Sequence, residues 1–280
     1  MTIPLRPLGR TGHNATLLGL GGEGILRTQG EDKGAQAVIA AALEAGLNYF
    51  ESARAYAGSE AYLGRGLKGH RDQIFLTSKS HGRTYKQAMA HLSVTLHHLD
   101  TDHLDLWQVH DVRTPEDLEA LTAPSGGLQA FREAKEKGLT RFVGITGHHD
   151  PDLLLQALDL FPFDTVLLPV NPAEPLYRSF LPVAAAARDR GMGVIGMKVL
   201  LRGLILQLAE DPQGLVQELV AYALSQPVSL VVIGADTPGQ VQALAAAASE
   251  FIPMTPEEQR ALEEAVEPFA RQLMYYKPKT

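Results

Sequence analysis

The sequence predicts a single α/β domain folded as a closed (β/α)8 barrel of the TIM type, and three observations carry that prediction. Short apolar runs of strand-like composition alternate eight times with runs of helical period between residues 15 and 251. Most of the strand-like runs are apolar throughout, as in a parallel sheet covered on both faces. An open doubly wound sheet would carry a Gly-rich phosphate turn with an acid about 20 residues further on. "GLGGEG" is too loose a match for that turn and precedes a poor helix start.

The units follow in order. "ATLLGLGG" reads as the first strand and "KGAQAVIAAALEAGL" as its helix, stopped at a glycine. "NYFES" is followed by "SEAYLGRGLKG", "QIFLTSK" by "TYKQAMAHLSVTLHHL", and "HLDLWQVH" by "GGLQAFREAKEKG". "RFVGIT" precedes "DPDLLLQALDLF", and "DTVLLPV" precedes "SFLPVAAAARDRG". "GVIGMKV" leads to "PQGLVQELVAYALSQ", and "SLVVIGA" to "TPGQVQALAAAASEF". "TPEEQRALEEAVEPFARQL" adds a carboxyl-terminal helix. Pro- and Gly-rich pieces fall between units rather than forming a linker, so residues 1–280 read as one domain.

Composition narrows the function. The chain has 280 residues, 45% of them hydrophobic, enough for one large core. Cysteine is absent, which excludes disulfides and thiolate metal sites and fits a reducing cytoplasm. "MTIPLRPLGR" lacks the apolar stretch of a targeting signal, and no run approaches membrane-spanning length, so a cytoplasmic, membrane-free protein is expected. A net charge of -7, with acids and bases intermixed, argues against a nucleic-acid surface. No heptad or separate apolar face indicates an oligomeric state.

In such a barrel the chemistry sits where strands end at their carboxyl side. Those positions hold Glu51 at the end of the second strand, Tyr56 in the turn after it, Lys79 closing the third and His110 closing the fourth. Neighbouring strands lie about 4.8 Å apart, so these groups would converge on one rim. Each alone has a bland reading: a solvated carboxylate or cap, a packed ring, a rim lysine, a structural histidine. Together they make a proton-donor site for a carbonyl becoming an alcohol. A phenol is a poor acid at neutral pH, and an ammonium held by a carboxylate is expected to lower its pKa.

"FESARAYAGSE", "TSK", "DTDHLDLWQVH" and "RFVGIT" resemble, in order and spacing, the aldo-keto reductases, with this chain as a short bacterial-type member. "LGRTG" resembles the segment that opens an amino-terminal hairpin in that family. The resemblance implies reduction of a small aldehyde or ketone by NADP(H), with NAD(H) a close alternative. It implies a catalytic tetrad of Glu51, Tyr56, Lys79 and His110.

The match has departures. The family has aspartate where this chain has Glu51, and an extra methylene moves the carboxylate by about an ångström, a scale that can cost roughly a hundredfold in rate. The Ser-Asn pair that holds the carboxamide is Thr146-Gly147 here, and the following glutamine is Leu167, with Asn171 at a compatible position. The residue stacking on nicotinamide is Met197, which reads equally as core filler, and Lys198 with Arg202 would neutralise the pyrophosphate. Asp236 and Gln240 stand where the family places basic residues for a 2′-phosphate, and Ala243-Leu244 replace a Glu-Asn pair. Gly22 and Gly234, at the ends of the first and last strands, complete the cofactor set. Thr237, Pro238 and Gln240 also read as a capping box without any cofactor.

"GHHD" and His97-His98 lack the spacing of a metal site, so none is expected, and Asp150 reads as a helix N-cap. His97 and His98 are expected at an exposed helix end. The short tail "MYYKPKT" implies an open, shallow site. A catalytically weak nucleotide-binding sensor or regulatory protein is the alternative reading, motivated by Glu51 and the missing carboxamide contacts. A Schiff-base lyase using Lys79 or Lys198 is the third.

Overall fold

The computed structural model describes residues 2–277. An antiparallel hairpin comes first, β1 (Leu5–Pro7) and β2 (Asn14–Thr16), with Leu5 opposite Thr16. "LGRTG" makes the turn between them. Gly9, at φ 52°, presses against the backbone of Gly193, where a Cβ would meet the Gly193 nitrogen at 2.1 Å. The run "ATLLGLGG" is therefore divided: Ala15 and Thr16 pair in the hairpin, and the barrel strand β3 (Leu18–Gly24) starts after them.

Next come α1 (Asp32–Glu44), β4 (Tyr49–Glu51), α2 (Ser59–Gly66), β5 (Phe75–Ser80), α3 (Tyr85–Leu99) and β6 (Leu104–Val109). A short helix absent from the sequence reading, α4 (Pro115–Thr122), fills the following loop; Thr114 and Asp117 cap it reciprocally and Pro115 opens it. Then α5 (Gly127–Glu136), β7 (Thr140–Thr146), α6 (Pro151–Ala157), β8 (Thr165–Pro169), α7 (Leu181–Asp189) and β9 (Gly193–Met197) continue the alternation. It ends with α8 (Pro212–Ser225), β10 (Leu230–Ala235) and α9 (Pro238–Ser249). Strands β3 to β10 form a closed barrel in which β10 returns beside β3, with Val231 opposite Leu18. The predicted terminal helix is broken into α10 (Pro256–Val266) and α11 (Ala270–Leu273), because Pro268 cannot continue the helical ladder.

Two apolar clusters hold the fold. The larger lies between strands and helices and includes Trp107, stacked 3.9 Å from Phe131. The smaller fills the barrel interior, with Tyr49, Phe75, Leu106, Leu167 and Ile195 among its members and Met197 packed against it. Each fully buried side chain of this kind contributes about 1.5–3 kcal/mol. Among the described residues no helix is long and apolar enough to cross a membrane.

Candidate active site

The strand ends bring the four predicted groups together. Glu51 is the last residue of β4, and Lys79 lies one position before the end of β5. Parallel pairing sets Glu51 opposite Thr77, and the chain beyond β4 is pinned where Ser52 N donates to Thr77 O and Arg54 N to Lys79 O, both at 2.9 Å. Gly22 allows this approach: a Cβ there would stand 2.7 Å from Glu51 O and 2.5 Å from Ser59 Oγ. Its absent side chain is thus explained by packing of β3 on β4.

Lys79 Nζ is 2.6 Å from Glu51 Oε1, with side chains only 1% and 5% exposed. It also donates to Ser52 O at 3.0 Å and stands 5.0 Å from the centroid of the Tyr56 ring. The extra methylene of Glu51 is therefore accommodated, and its Oε2 is buried without a hydrogen-bond partner. Tyr56 and His110 meet edge to face at 5.7 Å. His110 follows β6 directly, its N–H donating to Ser80 O at 2.9 Å.

The electrostatics differ from the expected direction. Burial, then the charge of Glu51, pushes the Tyr56 phenol well above its usual range, so its proton is firmly held at rest. The desolvation and the carboxylates of Glu51, Glu23 and Asp111 outweigh the opposing charge of Arg27. Burial lowers Lys79 while Glu51 opposes that fall. Burial and Lys79 hold the His110 imidazole well below its ordinary range, which keeps it neutral.

Above these groups opens a cavity of about 610 Å³, lined by Tyr56, Lys79 and His110 and by loop residues that sequence reasoning missed. Asp111 is held at several points. Its φ is 57°, its N–H donates to Thr146 Oγ1 at 2.7 Å, and its Oδ2 accepts from Arg113 Nε at 2.5 Å. His148 Nε2 lies 3.4 Å from Asp111 Oδ1, and burial lowers the His148 pKa to about 4. Tyr275, Tyr276 and Lys277 form a wall on one side of the mouth. The wall is anchored from inside the protein. Buried Glu174 accepts from the Tyr276 hydroxyl and from Lys277 Nζ, the latter at 2.8 Å. A local pattern gives no hint of this, since the partners are about a hundred residues apart.

A groove, also of about 610 Å³, shares Glu23, Arg27, Tyr56, Met197, Lys198 and Arg202 with the mouth and runs on past Gly22 and Gly234 to Asp236 and Gln240. Its turn after β9 is strained, with Lys198, Leu201 and Arg202 in left-handed backbone at φ 62°, 49° and 57°. Arg202 reaches across to Glu23 at 3.2 Å, while Lys198 Nζ lies 5.7 Å from the rings of both Tyr275 and Tyr276. A Cβ on Gly234 would fall 2.7 Å from the Glu23 backbone, so close packing accounts for that glycine as well.

Two predicted cofactor residues are not in either cavity. Asn171 is buried elsewhere: its Nδ2 donates to the Tyr276 hydroxyl at 3.1 Å and its Oδ1 accepts from Ala173 N at 3.1 Å. Gly147 is buried beside Leu154. Thr146 and Leu167 do line the mouth. At α9, Thr237 caps Gln240 N at 3.3 Å, but Gln240 Oε1 accepts from Asp236 N at 2.7 Å, one residue before a true capping box. Asp150 is the N-cap of α6, accepting from Asp152 N at 2.9 Å. His97 is exposed as expected, but His98 is half-buried, with Nδ1 3.2 Å from Arg54 Nη1. Among the described residues no group of three or more His, Cys, Asp or Glu is arranged to hold a metal ion.

Residues 17–218 match the profile of the aldo/keto reductase family. L-galactose dehydrogenase of Arabidopsis thaliana is 28% identical over 73% of this chain and 68% of its own length. An aldo-keto reductase of Mycolicibacterium smegmatis is 34% identical, but over 44% of this chain and 43% of its own. Among solved structures, the holo form of aldo-keto reductase AKR11C1 from Bacillus halodurans superposes with a TM-score of 0.76 at 23% identity, covering 94% of this chain and 96% of that one, a likeness of fold. With the family profile spanning most of the barrel and the strand-end geometry in place, the chain belongs to the aldo/keto reductase family of oxidoreductases.

Proposed function

We propose that the protein reduces small aldehydes or ketones to alcohols with a nicotinamide dinucleotide, Tyr56 acting as proton donor. The observation that carries this reading is the buried Lys79–Glu51 pair beneath the Tyr56 ring, beside neutral His110, at the floor of a cavity. The groove fits the dinucleotide's phosphates, because among the described residues Lys198 has no carboxylate within ion-pair distance and Arg202 stands beside it. It fits the carboxamide poorly, since Thr146 Oγ1 is the one predicted contact that remains in the mouth. When bound, the nicotinamide supplies the hydride that forms the new C–H bond.

The remaining steps belong to the protein. The neutral imidazole of His110 orients the carbonyl oxygen, and Tyr56 Oη gives it the proton. A phenolate is then left beside Lys79, whose charge is held by Glu51, so the ammonium stabilises the product state more than the resting state. The raised phenol pKa keeps the donor loaded beforehand. The same groups run in reverse would oxidise an alcohol, in keeping with a relative named as a dehydrogenase.

The far end of the groove favours NAD(H) over NADP(H). Exposed Asp236 and Gln240 line it beside Ala243 and Leu244, with no lysine or arginine among the described residues at that end to meet a 2′-phosphate. The test is a panel of small aldehydes and ketones with NADH and with NADPH, following consumption of the reduced nucleotide. Turnover supports the reading; tight nucleotide binding with no turnover of any carbonyl would overturn it.

A further inference from the structure

The underside of the barrel, opposite the mouth, holds a cavity of about 710 Å³ to which no role has been given. It lies where the hairpin meets the chain entering β9 and β10: Met192 precedes one strand and Ser229 the other. Among the described residues three arginines line it, Arg6, Arg10 and Arg188, and no aspartate or glutamate does, in a chain whose net charge is -7.

Arg10 is accounted for by the fold. Its guanidinium donates to Phe163 O at 2.8 Å and Arg190 O at 3.2 Å, and Asp164 stands 3.7 Å from its Nε. Arg6 is different. Nη1 alone donates to the protein, to Leu224 O at 2.9 Å and Val228 O at 3.1 Å, and the guanidinium lies over the Phe251 ring at 5.2 Å. Fixed on one corner and one face, it has Nη2 and Nε without acceptors among the described residues, and no carboxylate of those residues pairs with it. That leaves a pre-oriented edge of the kind that grips an oxyanion through two parallel bonds. Arg188, on α7, is exposed, and its guanidinium makes no hydrogen bond or ion pair among the described residues. The two guanidiniums are close enough that the charge of Arg188 adds to burial in lowering the Arg6 pKa. Two cations lining one cavity without a counter-charge gain stability from any dianion placed between them.

We infer that this basal cavity is a binding site for a phosphate group, held by the free edge of Arg6 and by Arg188. The site is independent of the carbonyl chemistry at the opposite rim. A free phosphate ion and a small phosphate ester offer the same oxygens, and the apolar Phe251, Pro227 and Pro253 would cover the rest of an ester.

The test follows backbone amide resonances of Gly9, Gly191 and Ser229 while inorganic phosphate, phenyl phosphate or sodium chloride is added to the intact protein at matched ionic strength. Saturable shifts with the phosphates and not with chloride are expected, with half-saturation about tenfold weaker in R188Q, a surface change that spares the fold. R6K, which keeps charge but loses the fork, should weaken binding to a similar degree. Tighter binding of phenyl phosphate assigns the ester as the source, and equal binding the free ion. Shifts confined to residues of the mouth, the same response to chloride, or an unchanged midpoint in R188Q would overturn the inference. Carbonyl turnover is unaffected in both variants on either outcome, so failure here leaves the catalytic reading standing.

Discussion

Lys79 Nζ is bound to Glu51 Oε1 at 2.6 Å, and both side chains are almost wholly withdrawn from solvent. Contact with the ammonium thus depends on the full length of the glutamate. Glu51→Asp draws the carboxylate back by roughly one bond length, and at catalytic groups such a displacement costs about a hundredfold. Although aspartate is the residue typical of the family's tetrad, kcat for aldehyde reduction is expected to fall by about tenfold to a hundredfold. Equal or faster turnover in the variant would show that the pair is not tuned to glutamate.

Removing the phenolic oxygen isolates the proton step. Tyr56→Phe keeps the ring that faces His110 and Lys79. Its kcat should drop by about 10²–10⁴-fold, with nucleotide affinity held within about twofold. Steady-state kinetics and fluorescence titration with NADH separate the two effects.

Asp236 should set nucleotide choice. Asp236→Arg replaces a repulsion with an attraction at the end of the groove, and the NADPH:NADH affinity ratio should rise by about tenfold or more. Titration of both nucleotides checks this; an unchanged ratio would place the adenosine ribose elsewhere.

Acid should destabilise the protein through its buried histidines. The pKa of His148 is about 4 in the folded protein against 6.5 for a free side chain, and burial also holds His110 well below its ordinary range. As pH falls below 6.5, the unfolded chain binds protons that the folded chain refuses. The stabilisation is complete above pH 6.5 and is lost between there and about 4. For His148 it amounts to at most about 3 kcal/mol. Urea unfolding at about pH 7.5 and about pH 4.5 should show a smaller acid loss in His148→Gln than in the parent protein.

The tail should detach when its internal anchor is broken. Lys277→Ala leaves Glu174 buried without its counter-charge, and stranding a buried charge costs about 3–5 kcal/mol. Release of the tail avoids that cost. Chymotrypsin should then cut at Tyr275 or Tyr276 about tenfold faster, with KM for small carbonyls raised. Parental cleavage kinetics would mean that other contacts hold the wall.

What could be read from sequence and what could not divide along physical lines. Glu51, Lys79 and His110 were legible because strand periodicity and barrel topology together determine which residues stand at one rim. Glu23, Asp111 and His148 were missed or left as loop residues, since their importance comes from contacts between loops that share no period. Asn171 shows a second limit. Its position after β8 was read correctly, but its amide turns toward Tyr276, and side-chain direction beyond a strand end is set by packing. The direction of the Tyr56 shift is not legible from neighbouring strand ends, because its first cause is burial, which depends on every group around the ring. In the basal cavity, Arg6 and Arg188 are separated by most of the chain and carry no motif.

Leu167 and Met197 belong to two structures at once: they touch the apolar plug inside the barrel and they line the mouth. Any attempt to widen the enzyme's repertoire by trimming these two therefore hollows out its centre, and the gain in room will be accompanied by a lower melting temperature. Redesign of substrate scope is better directed at the loop residues around Asp111 and His148, whose replacement leaves the plug intact.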